Sequence, residues 1–563
     1  MRRLWAIIPQ NYRRRTIWVA GTIFLRALLN FIGVATLIPI LGLILQHETV
    51  MSNEDIAGIS KVLNIDNYNT LVIYVCCAAV GIILLKNLAI LLLYRTERNY
   101  IYSLYKHLSE SLYLSYHNRG YGFIKRSNSA VLTRNVNVVS LMFVTGVLKP
   151  VATIISESLL FLLIMGAIAW YTPIAALITT CVFLPVVVVF YLIMRHRLHN
   201  IGEMENAAQR LKSRIVAESF RGYADIELGG AFPLMFNKFE SATNEIVNLR
   251  KRNATMGMFP QMITEVGLAV GLTSLVLLSL IYSHNIGMIF GIFAVAAIRL
   301  VPSVRGIMSS WSAIRYNLYT IDTMAEVDRQ SVTIESHDAE RLNFHSTIEL
   351  HEVTFTFDDA SKPTIENLSL SIRKGERIGI QGASGIGKTT LFNLMLGLYK
   401  PTSGTILIDD TPLSAENICK WQNAVGYVSQ SVFITEGTIA ENIAFGCRHD
   451  EIDMQRIKEV IEGADLKEFV DGLENGINTR IGEQGSRLSG GQRQRIGIAR
   501  ALYKGCDVLL FDEATSSLDN HTEQNINQSI ERLSAQNKSL TIVIIAHRDS
   551  SIKYCDRVIT LEK

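Results

Sequence analysis

The sequence lacks the paired cysteines that zinc sites and disulfide frameworks need. Its seven cysteines are scattered over 563 residues, and no two of them have the Cys-x-x-Cys spacing. An odd, scattered set is typical of reduced thiols in apolar or cytosolic surroundings. Neither a zinc site nor a disulfide scaffold is therefore expected.

An excess of charge of one sign is also absent. The net charge is +3, and the basic residues form no concentrated patch. Because binding of nucleic acid depends on such a patch, an ATPase that acts on nucleic acid is not favoured. A signal peptide is not expected either, since the first apolar stretch begins near residue 17 and is too long for an h-region.

Long apolar runs are abundant instead. Hydrophobic residues make up 49% of the sequence, which predicts a membrane part beside a soluble part. Six such runs in the first 312 residues argue against the alternative of a buried core helix, although Arg26, Lys86, Lys149 and Glu157 weaken the first three. Hydropathy places six candidate transmembrane helices at about residues 17–45, 70–94, 140–168, 173–195, 259–283 and 286–312.

Lysine and arginine lie on alternate sides of these spans. They crowd the N-terminal segment and the two long connections after spans two and four, whereas residues 46–69 contain only Lys61. This bias predicts a multi-pass protein of the cell inner (cytoplasmic) membrane with its C-terminal half in the cytoplasm. The two connections are helix-compatible, so the spans are expected to continue well past the bilayer. Residues 53–65 are predicted to form an amphipathic helix on the external surface.

The C-terminal half contains a glycine-rich turn between an apolar strand and a helix. Residues 377–381 have the pattern of a strand, and residues 382–389 read Gly-Ala-Ser-Gly-Ile-Gly-Lys-Thr. This is the context of a P-loop, whose backbone N–H groups and helix N-terminus hold phosphates; the alternative is a turn that binds nothing. Lys388 is predicted to reach the β- and γ-phosphates of ATP and Thr389 to hold Mg²⁺. The predicted nucleotide contacts are Gly382, Ala383, Ser384, Gly385, Ile386, Gly387, Lys388, Thr389 and Thr390.

A second apolar strand ends in two carboxylates. Residues 508–511 read Val-Leu-Leu-Phe and are followed by Asp512 and Glu513. We predict that Asp512 is a Mg²⁺ ligand and that Glu513 polarises the water that attacks the γ-phosphate.

Residues 488–492 read Leu-Ser-Gly-Gly-Gln and resemble the signature sequence of ATP-binding cassette (ABC) transporters. The resemblance extends across the soluble domain. It implies that Gln430 is the Q-loop residue at the metal and the hydrolysis site, Asp519 the D-loop aspartate and His547 the switch histidine. It also implies that Phe357 stacks on adenine, where tyrosine is commoner. Four residues at the start of the following helix would supply hydrogen-bond donors to the γ-phosphate of ATP bound by another subunit: Ser489, Gly490, Gly491 and Gln492.

Six spans and one cassette resemble an exporter-type half-transporter. This resemblance implies a homodimer with two composite ATP sites, in which ATP hydrolysis is coupled to transport. The predicted architecture is an α-helical transmembrane domain in residues 1–312, a polar linker in residues 313–345 and an α/β P-loop ABC ATPase domain in residues 346–563. An ATP-gated channel or regulator has the same fold, but a gate does not need the two hydrolysing sites that Glu513 and the signature sequence predict.

Three basic residues lie in or near spans two and six: Lys86, Arg299 and Arg305. A charge at the centre of a membrane helix costs about 2.5 to 3.5 kcal/mol on insertion scales, so each predicts a functional site. A pyrophosphate is a fitting counter-charge. The alternative is that these side chains snorkel to the interface or pair with carboxylates such as Glu265.

These spans and the external helix resemble the PglK-type lipid-linked oligosaccharide flippases. In that family the external helix is thought to engage a polyprenyl tail, and basic residues the pyrophosphate. The resemblance implies an amphiphilic cargo, a polyprenyl-pyrophosphate-linked oligosaccharide or a similar glycolipid, moved from the cytoplasmic to the external leaflet. Export of drugs or of a lipid A-like molecule is the alternative. Peptide processing is not expected, because the first span begins near residue 17 and leaves no room for a protease domain.

Overall fold

The computed structural model describes residues 2–37, 40, 43, 68–171, 173–281, 286–327, 340–482, 485–513, 524, 528, 530–532, 534–535, 537–546 and 552–562. The predicted external helix at residues 53–65, together with Asp519 and His547, lies outside these ranges. The chain forms two units, residues 1–333 and residues 334–563, and the division falls inside the predicted linker.

The first unit is entirely helical in its described part. Two early helices are followed by very long helices. Short helices separate the long ones at points where glycine or asparagine occurs. The helices are α1 (Arg2–Ile7), α2 (Gln10–Ala35), α3 (Tyr68–Asn118), α4 (Gly120–Arg126), α5 (Ser129–Arg134), α6 (Ser140–Phe143), α7 (Lys149–Tyr171), α8 (Pro173–Arg221), α9 (Tyr223–Leu228), α10 (Phe232–Ile281), α11 (Ile286–Tyr316) and α12 (Tyr319–Ala325).

The long helices extend beyond a bilayer, as the sequence predicts. Helix α3 has 51 residues and helix α10 has 50, so each is roughly 75 Å long, whereas a hydrocarbon core is about 30 Å thick. Among the described residues, four helices are long and apolar enough to cross a membrane, at Gln10–Ala35, Tyr68–Asn118, Ser129–Trp170 and Thr179–Arg221. The last two predicted spans, residues 259–283 and 286–312, lie on α10 and α11.

Charged residues inside the first and third spans have polar partners. Arg26 of α2 forms an ion pair with Glu97 of α3 at 2.8 Å, and both side chains are largely buried. The Ser303 hydroxyl of α11 donates a hydrogen bond of 2.7 Å to the Glu157 carboxylate of α7. These contacts compensate for the cost of placing charge among membrane helices.

Residues 129–170 form one continuous helix that contains two π-helical turns, Asn135–Val139 and Val144–Leu148. The Asn128 side chain caps its start by accepting hydrogen bonds from the backbone N–H groups of Ala130 and Val131. The second π turn ends two residues before Pro150, which has no N–H to donate to the preceding turn. A local widening of the helix accommodates this missing donor.

The start of the predicted linker is helical. Helix α12 places Ile321 and Met324 in a buried cluster with Ile7 of α1 and Leu104 of α3. Arg119, at the end of α3, donates a hydrogen bond to the carbonyl of Glu326. Residues 319–326 therefore pack on the helical unit.

The second unit contains two sheets. Their strands are β1 (Thr347–Phe355), β2 (Ile365–Arg373), β3 (Arg377–Gln381), β4 (Ser403–Ile408), β5 (Thr411–Pro412), β6 (Val425–Val428), β7 (Val508–Asp512), β8 (Thr541–Ile545) and β9 (Arg557–Thr560). One sheet is antiparallel with the order β2-β1-β4-β5, and the other is parallel with the order β6-β7-β8-β3-β9. Its helices are α13 (Lys388–Met395), α14 (Ile418–Ala424), α15 (Ile439–Ile443), α16 (Met454–Gly463), α17 (Lys467–Asp471) and α18 (Gly490–Lys504).

The parallel sheet is the centre of this unit. All five residues of β7 are buried, as expected for a strand covered on both faces. One apolar cluster joins both sheets to α13, and a second packs α15, α16 and α18 against the sheet. In a parallel sheet, the carboxyl ends of the strands share one edge, so the segments that follow β3, β6 and β7 meet there.

Candidate functional site

The predicted P-loop joins β3 to α13. Gly385 and Gly387 have φ of 81° and 107°, a region that side-chain-bearing residues rarely adopt. A Cβ on Gly387 would also lie 3.1 Å from the carbonyl oxygen of Thr364, so a methyl group would crowd this approach. The sequence therefore needs glycine to bring the backbone N–H groups around to the start of α13.

Lys388 is the first residue of α13 and only 5% exposed. Its ammonium group donates hydrogen bonds to the carbonyl oxygens of Gly382 and Ala383, at 2.9 and 3.1 Å. The charge of Lys388 thus lies over the loop, where it can interact with a bound phosphate.

Two predicted metal ligands are in direct contact. The Thr389 hydroxyl donates a hydrogen bond of 3.1 Å to one oxygen of Asp512, and the Tyr427 hydroxyl donates one of 3.1 Å to the other. Burial raises the pKa of the Asp512 carboxyl above its ordinary value, and the hydrogen bonds from Tyr427 and Thr389 oppose this shift. A buried carboxylate beside a hydroxyl is suited to a hard cation such as Mg²⁺, which stabilises the ionised form.

The two remaining described residues of the predicted hydrolysis site also meet. The Gln430 side-chain amide donates a hydrogen bond of 3.1 Å to the Glu513 carboxylate. Glu513 has a φ of 49°, which is uncommon for a residue with a side chain, and its backbone N–H is bound to the carbonyl of Ile545. The end of β7 thus presents Asp512 to Thr389 and Glu513 to Gln430.

Phe357 lies in an aromatic cluster with Phe355 and Tyr399. Its ring is 4.9 Å from that of Phe355 and 5.6 Å from that of Tyr399, and both contacts are edge-on. Phe357 is partly buried, so one part of its ring remains available to a planar ligand. The loop that carries it leads into β2, whose first residues contact Gly387.

The signature residues lie at the start of helix α18. The Ser489 hydroxyl accepts from the N–H of Gln492, and the Gln492 side chain accepts from the N–H of Ser489, which makes a capping box. Gly490 and Gly491 form the first turn. In the described part of the ATPase unit, no hydrogen bond joins these four residues to the P-loop.

Sequence reasoning missed two aromatic residues near this site, Tyr427 and Tyr399. Tyr427 precedes Gln430 at the end of β6 and is paired with Leu510 of β7, which brings its hydroxyl to Asp512. The place of Tyr427 three residues before Gln430 was a usable signal, because β6 and β7 are neighbours. Nothing in the local sequence indicated that Tyr399 would contact Phe357.

In the helical unit, Lys86 lies on α3, and Arg299 and Arg305 lie on α11. A Cβ added at Gly33 would lie 2.8 Å from both Cδ and Nζ of Lys86, so this side chain packs against α2. Arg305 has its Nε buried without a hydrogen-bond partner.

The predicted carboxylate Glu265 is not a partner of these three cations. It accepts a hydrogen bond of 3.0 Å from Gln261, one turn away on the same helix. No carboxylate of the described residues forms an ion pair with Lys86, Arg299 or Arg305. Within the described part of the helical unit, ion pairs therefore do not neutralise these three cations.

Comparison with known proteins agrees with this geometry. The profile of the ABC transporter family matches residues 365–516. The chain is 30% identical over 460 residues to an ATP-dependent lipid A-core flippase of Ralstonia nicotianae, covering 78% of this chain and 74% of that protein. It is 29% identical over 441 residues to a flippase of the same description from Cupriavidus pinatubonensis, covering 77% and 74%.

The fold is similar to that of a bacterial Atm1-family ABC exporter solved with ATP bound. The TM-score is 0.79 at 22% identity, and the match covers 98% of this chain and 94% of the other. Long apolar helices joined to a P-loop ATPase unit make this a membrane protein with a cytoplasmic ATPase domain. The chain belongs to the ABC transporter family, as an exporter-type half-transporter that couples ATP hydrolysis to transport.

Proposed function

We propose that this chain is a homodimeric flippase of the inner membrane that uses ATP and Mg²⁺ to move an anionic glycolipid from the cytoplasmic to the external leaflet. The proposed cargo is a polyprenyl-pyrophosphate-linked oligosaccharide or a similar lipid-linked sugar. The observation that carries this proposal is that Lys86 and Arg299, on the membrane helices α3 and α11, form no ion pair with a carboxylate of the described residues.

A positive charge among apolar helices is costly unless a ligand or a carboxylate compensates for it. A pyrophosphate supplies negative charge and several acceptor oxygens, which suit a lysine and an arginine together. The Nε–H of Arg305, which has no hydrogen-bond partner, would be a further donor to the pyrophosphate. An uncharged drug would leave all three cations uncompensated, so the multidrug alternative is less favoured.

A lipid A-like cargo is the second candidate. It is supported by the relatives described as lipid A-core flippases, which share about three quarters of their length with this chain. Both candidates require a lipid tail and a polar head group to cross the bilayer together. They differ in the group that the basic side chains would bind.

We assign the residues of the ATPase site the following parts in hydrolysis. The phosphates of ATP would lie on the P-loop, with the Lys388 ammonium exchanging its bonds to Gly382 and Ala383 for phosphate oxygens. Mg²⁺ would be held by Thr389, Asp512 and Gln430, and would supply charge neutralisation to the phosphates. Glu513 would orient the attacking water and accept its proton as the bond to the γ-phosphorus forms and the β–γ bridge breaks.

The position of the signature residues supports the proposed homodimer. The start of α18 presents Ser489 and two glycines, yet no hydrogen bond within the described part of the unit connects them to the P-loop. A second copy would bring its own α18 N-terminus to the γ-phosphate of the first, since a helix start favours an anion.

Mixing two inactive variants should restore ATP hydrolysis if the sites are shared. A Lys388→Ala subunit paired with a Ser489→Arg subunit has both lesions in one composite site and an intact second site. With two affinity tags used to isolate mixed dimers, we expect ATPase activity at least about tenfold above that of either homodimer. Pairing Lys388→Ala with the double variant Lys388→Ala/Ser489→Arg leaves no intact site and is the matched control. Equal activity in both mixtures would refute shared sites.

The cargo can be tested by stimulation of ATP hydrolysis in proteoliposomes. We expect a polyprenyl-pyrophosphate-linked oligosaccharide to raise the ATPase rate severalfold, and the same tail without a phosphate to have no effect. Stimulation by a lipid A-core molecule alone would favour the second candidate. Stimulation only by uncharged drugs would overturn both, and an ATPase indifferent to every amphiphile would favour the ATP-gated channel.

A further inference from the structure

The helical unit encloses a cavity of about 710 Å³ that lies apart from the three membrane cations. It is formed by α5 and the first π turn, the second half of α8, the first half of α10, and the segment from the end of α11 into α12. These segments belong to the cytoplasmic extensions of the helices. The volume is in the range of sites that hold small molecules.

The charges around this cavity do not cancel. Arg134, Lys212 and Arg250 line it, and the only carboxylate among its lining residues is Glu205. Arg250 pairs with Glu205 at 2.9 Å, which leaves Arg134 and Lys212 in excess. Arg134 is 9% exposed and donates a hydrogen bond of 2.8 Å to a neutral partner, the amide oxygen of Asn206. The cavity is therefore electropositive and suited to an anion.

Glu205, which lines the cavity, also has an unused hydrogen-bond acceptor. The residue is 6% exposed, and one carboxylate oxygen, Oε2, is buried without a partner. A buried oxygen of this kind costs free energy until a donor reaches it. Because Arg250 already occupies the other oxygen, a neutral donor such as a hydroxyl is a better complement than a further cation.

Neutral polar groups complete the lining. Asn137 on the first π turn, together with Gln209 and Ser213 on α8, can donate to and accept from hydroxyl groups. The π turn widens the helix where Asn137 lies, and such turns frequently occur at functional sites. Excess cations, a bare carboxylate oxygen, amides and a hydroxyl together match the chemistry of a phosphorylated sugar.

We propose that this cavity binds the sugar-phosphate head group of the cargo on the cytoplasmic side, before the head group reaches Lys86 and Arg299. Arg134 and Lys212 bind the phosphate, and Glu205 accepts a hydrogen bond from a sugar hydroxyl. This assignment rests on the proposed function, in which the cargo is an anionic glycolipid. Helix α11 connects the two places, since its end lines the cavity and Arg299 lies about 25 Å earlier along it.

The test is a calorimetric titration of the full-length protein in nanodiscs with soluble N-acetylglucosamine 1-phosphate. Lys212→Gln removes one cation from the cavity, and Lys251→Gln is the matched control, because Lys251 is exposed on α10 and does not line the cavity. We expect Lys212→Gln to weaken binding about tenfold and Lys251→Gln to leave it within about twofold. N-acetylglucosamine and inorganic phosphate, each lacking half of the ligand, should bind more weakly to the wild-type protein.

No binding by the wild-type protein, or equal affinities for the wild-type and Lys212→Gln proteins, would overturn the assignment. These outcomes include the case in which a helix of a second copy fills the cavity. The proposed function fails separately: if the lipid-linked sugar does not stimulate ATPase activity but the soluble sugar phosphate binds through Lys212, the cavity is a site for a free sugar phosphate. If the lipid-linked sugar stimulates but Lys212→Gln changes neither binding nor its half-maximal concentration, the function stands and the cavity assignment is wrong.

Discussion

Replacing Glu513 with glutamine is expected to slow ATP hydrolysis by at least about 100-fold while leaving ATP binding intact. Glutamine has nearly the same shape and can keep a contact with Gln430, which now donates to the Glu513 carboxylate at 3.1 Å. It cannot accept the proton of the attacking water. The phosphate contacts come from the P-loop and Lys388, which this substitution does not touch.

The measurement pairs steady-state ATPase activity with equilibrium binding of a fluorescent ATP analogue. Lys388→Ala should give the opposite pattern to Glu513→Gln, since it removes the cation over the P-loop and so weakens nucleotide binding itself. Glu416→Gln, at an exposed position of the same unit, is the control for loss of one negative charge. Normal turnover by Glu513→Gln would show that another group activates the water.

The segments that form the proposed ATPase site were predictable because they are short and have strong local patterns. The glycines of residues 382–387, Lys388 and Thr389 occur within one turn, and Asp512 and Glu513 end a strand that is buried along its whole length. The parallel sheet then brings these segments to one edge, and the contact between Thr389 and Asp512 at 3.1 Å is a consequence. The predicted α/β fold and the predicted ABC family are both confirmed by the comparisons with known proteins.

Contacts between residues distant in sequence were not predictable in the same way. The Tyr427 hydroxyl reaches Asp512 only because β6 and β7 are adjacent in register, and strand order is not contained in a local pattern. The cavity with Glu205 depends on how helices of about 50 residues pack along their sides. The π turn before Pro150 had a signal in the sequence, but a proline in an apolar run also permits a simple kink.

Substituting alanine for Lys86, Arg299 and Arg305 together is expected to lower the rate of lipid translocation by at least about 100-fold. Two lost charge-assisted contacts to a pyrophosphate suffice for this factor, at about 1.5 kcal/mol or more each. Basal ATP hydrolysis should persist, since none of the three residues belongs to the ATPase unit. The matched control replaces Lys238, Lys251 and Arg252 of α10, which are exposed and remove the same charge.

This variant also separates the candidate cargoes. If the three cations bind the pyrophosphate, translocation of a polyprenyl-pyrophosphate-linked sugar falls in the triple variant and not in the control. Translocation that continues at the wild-type rate in folded protein would remove the pyrophosphate argument and favour the multidrug alternative. Circular dichroism and size-exclusion chromatography of both variants would establish that each is folded.

ATP hydrolysis is proposed to drive a lipid-linked oligosaccharide across the bilayer. The most direct measurement uses proteoliposomes that carry a polyprenyl-pyrophosphate-linked sugar with a fluorescent label on the sugar, in which ATP acts on outward-facing ATPase units. We predict that with ATP the wild-type protein moves the label into the lumen, where a membrane-impermeant quencher cannot reach it, and that the Glu513→Gln protein does not. Equal protection of the label with the wild-type and Glu513→Gln proteins, or none with either while ATP is hydrolysed, would contradict the account.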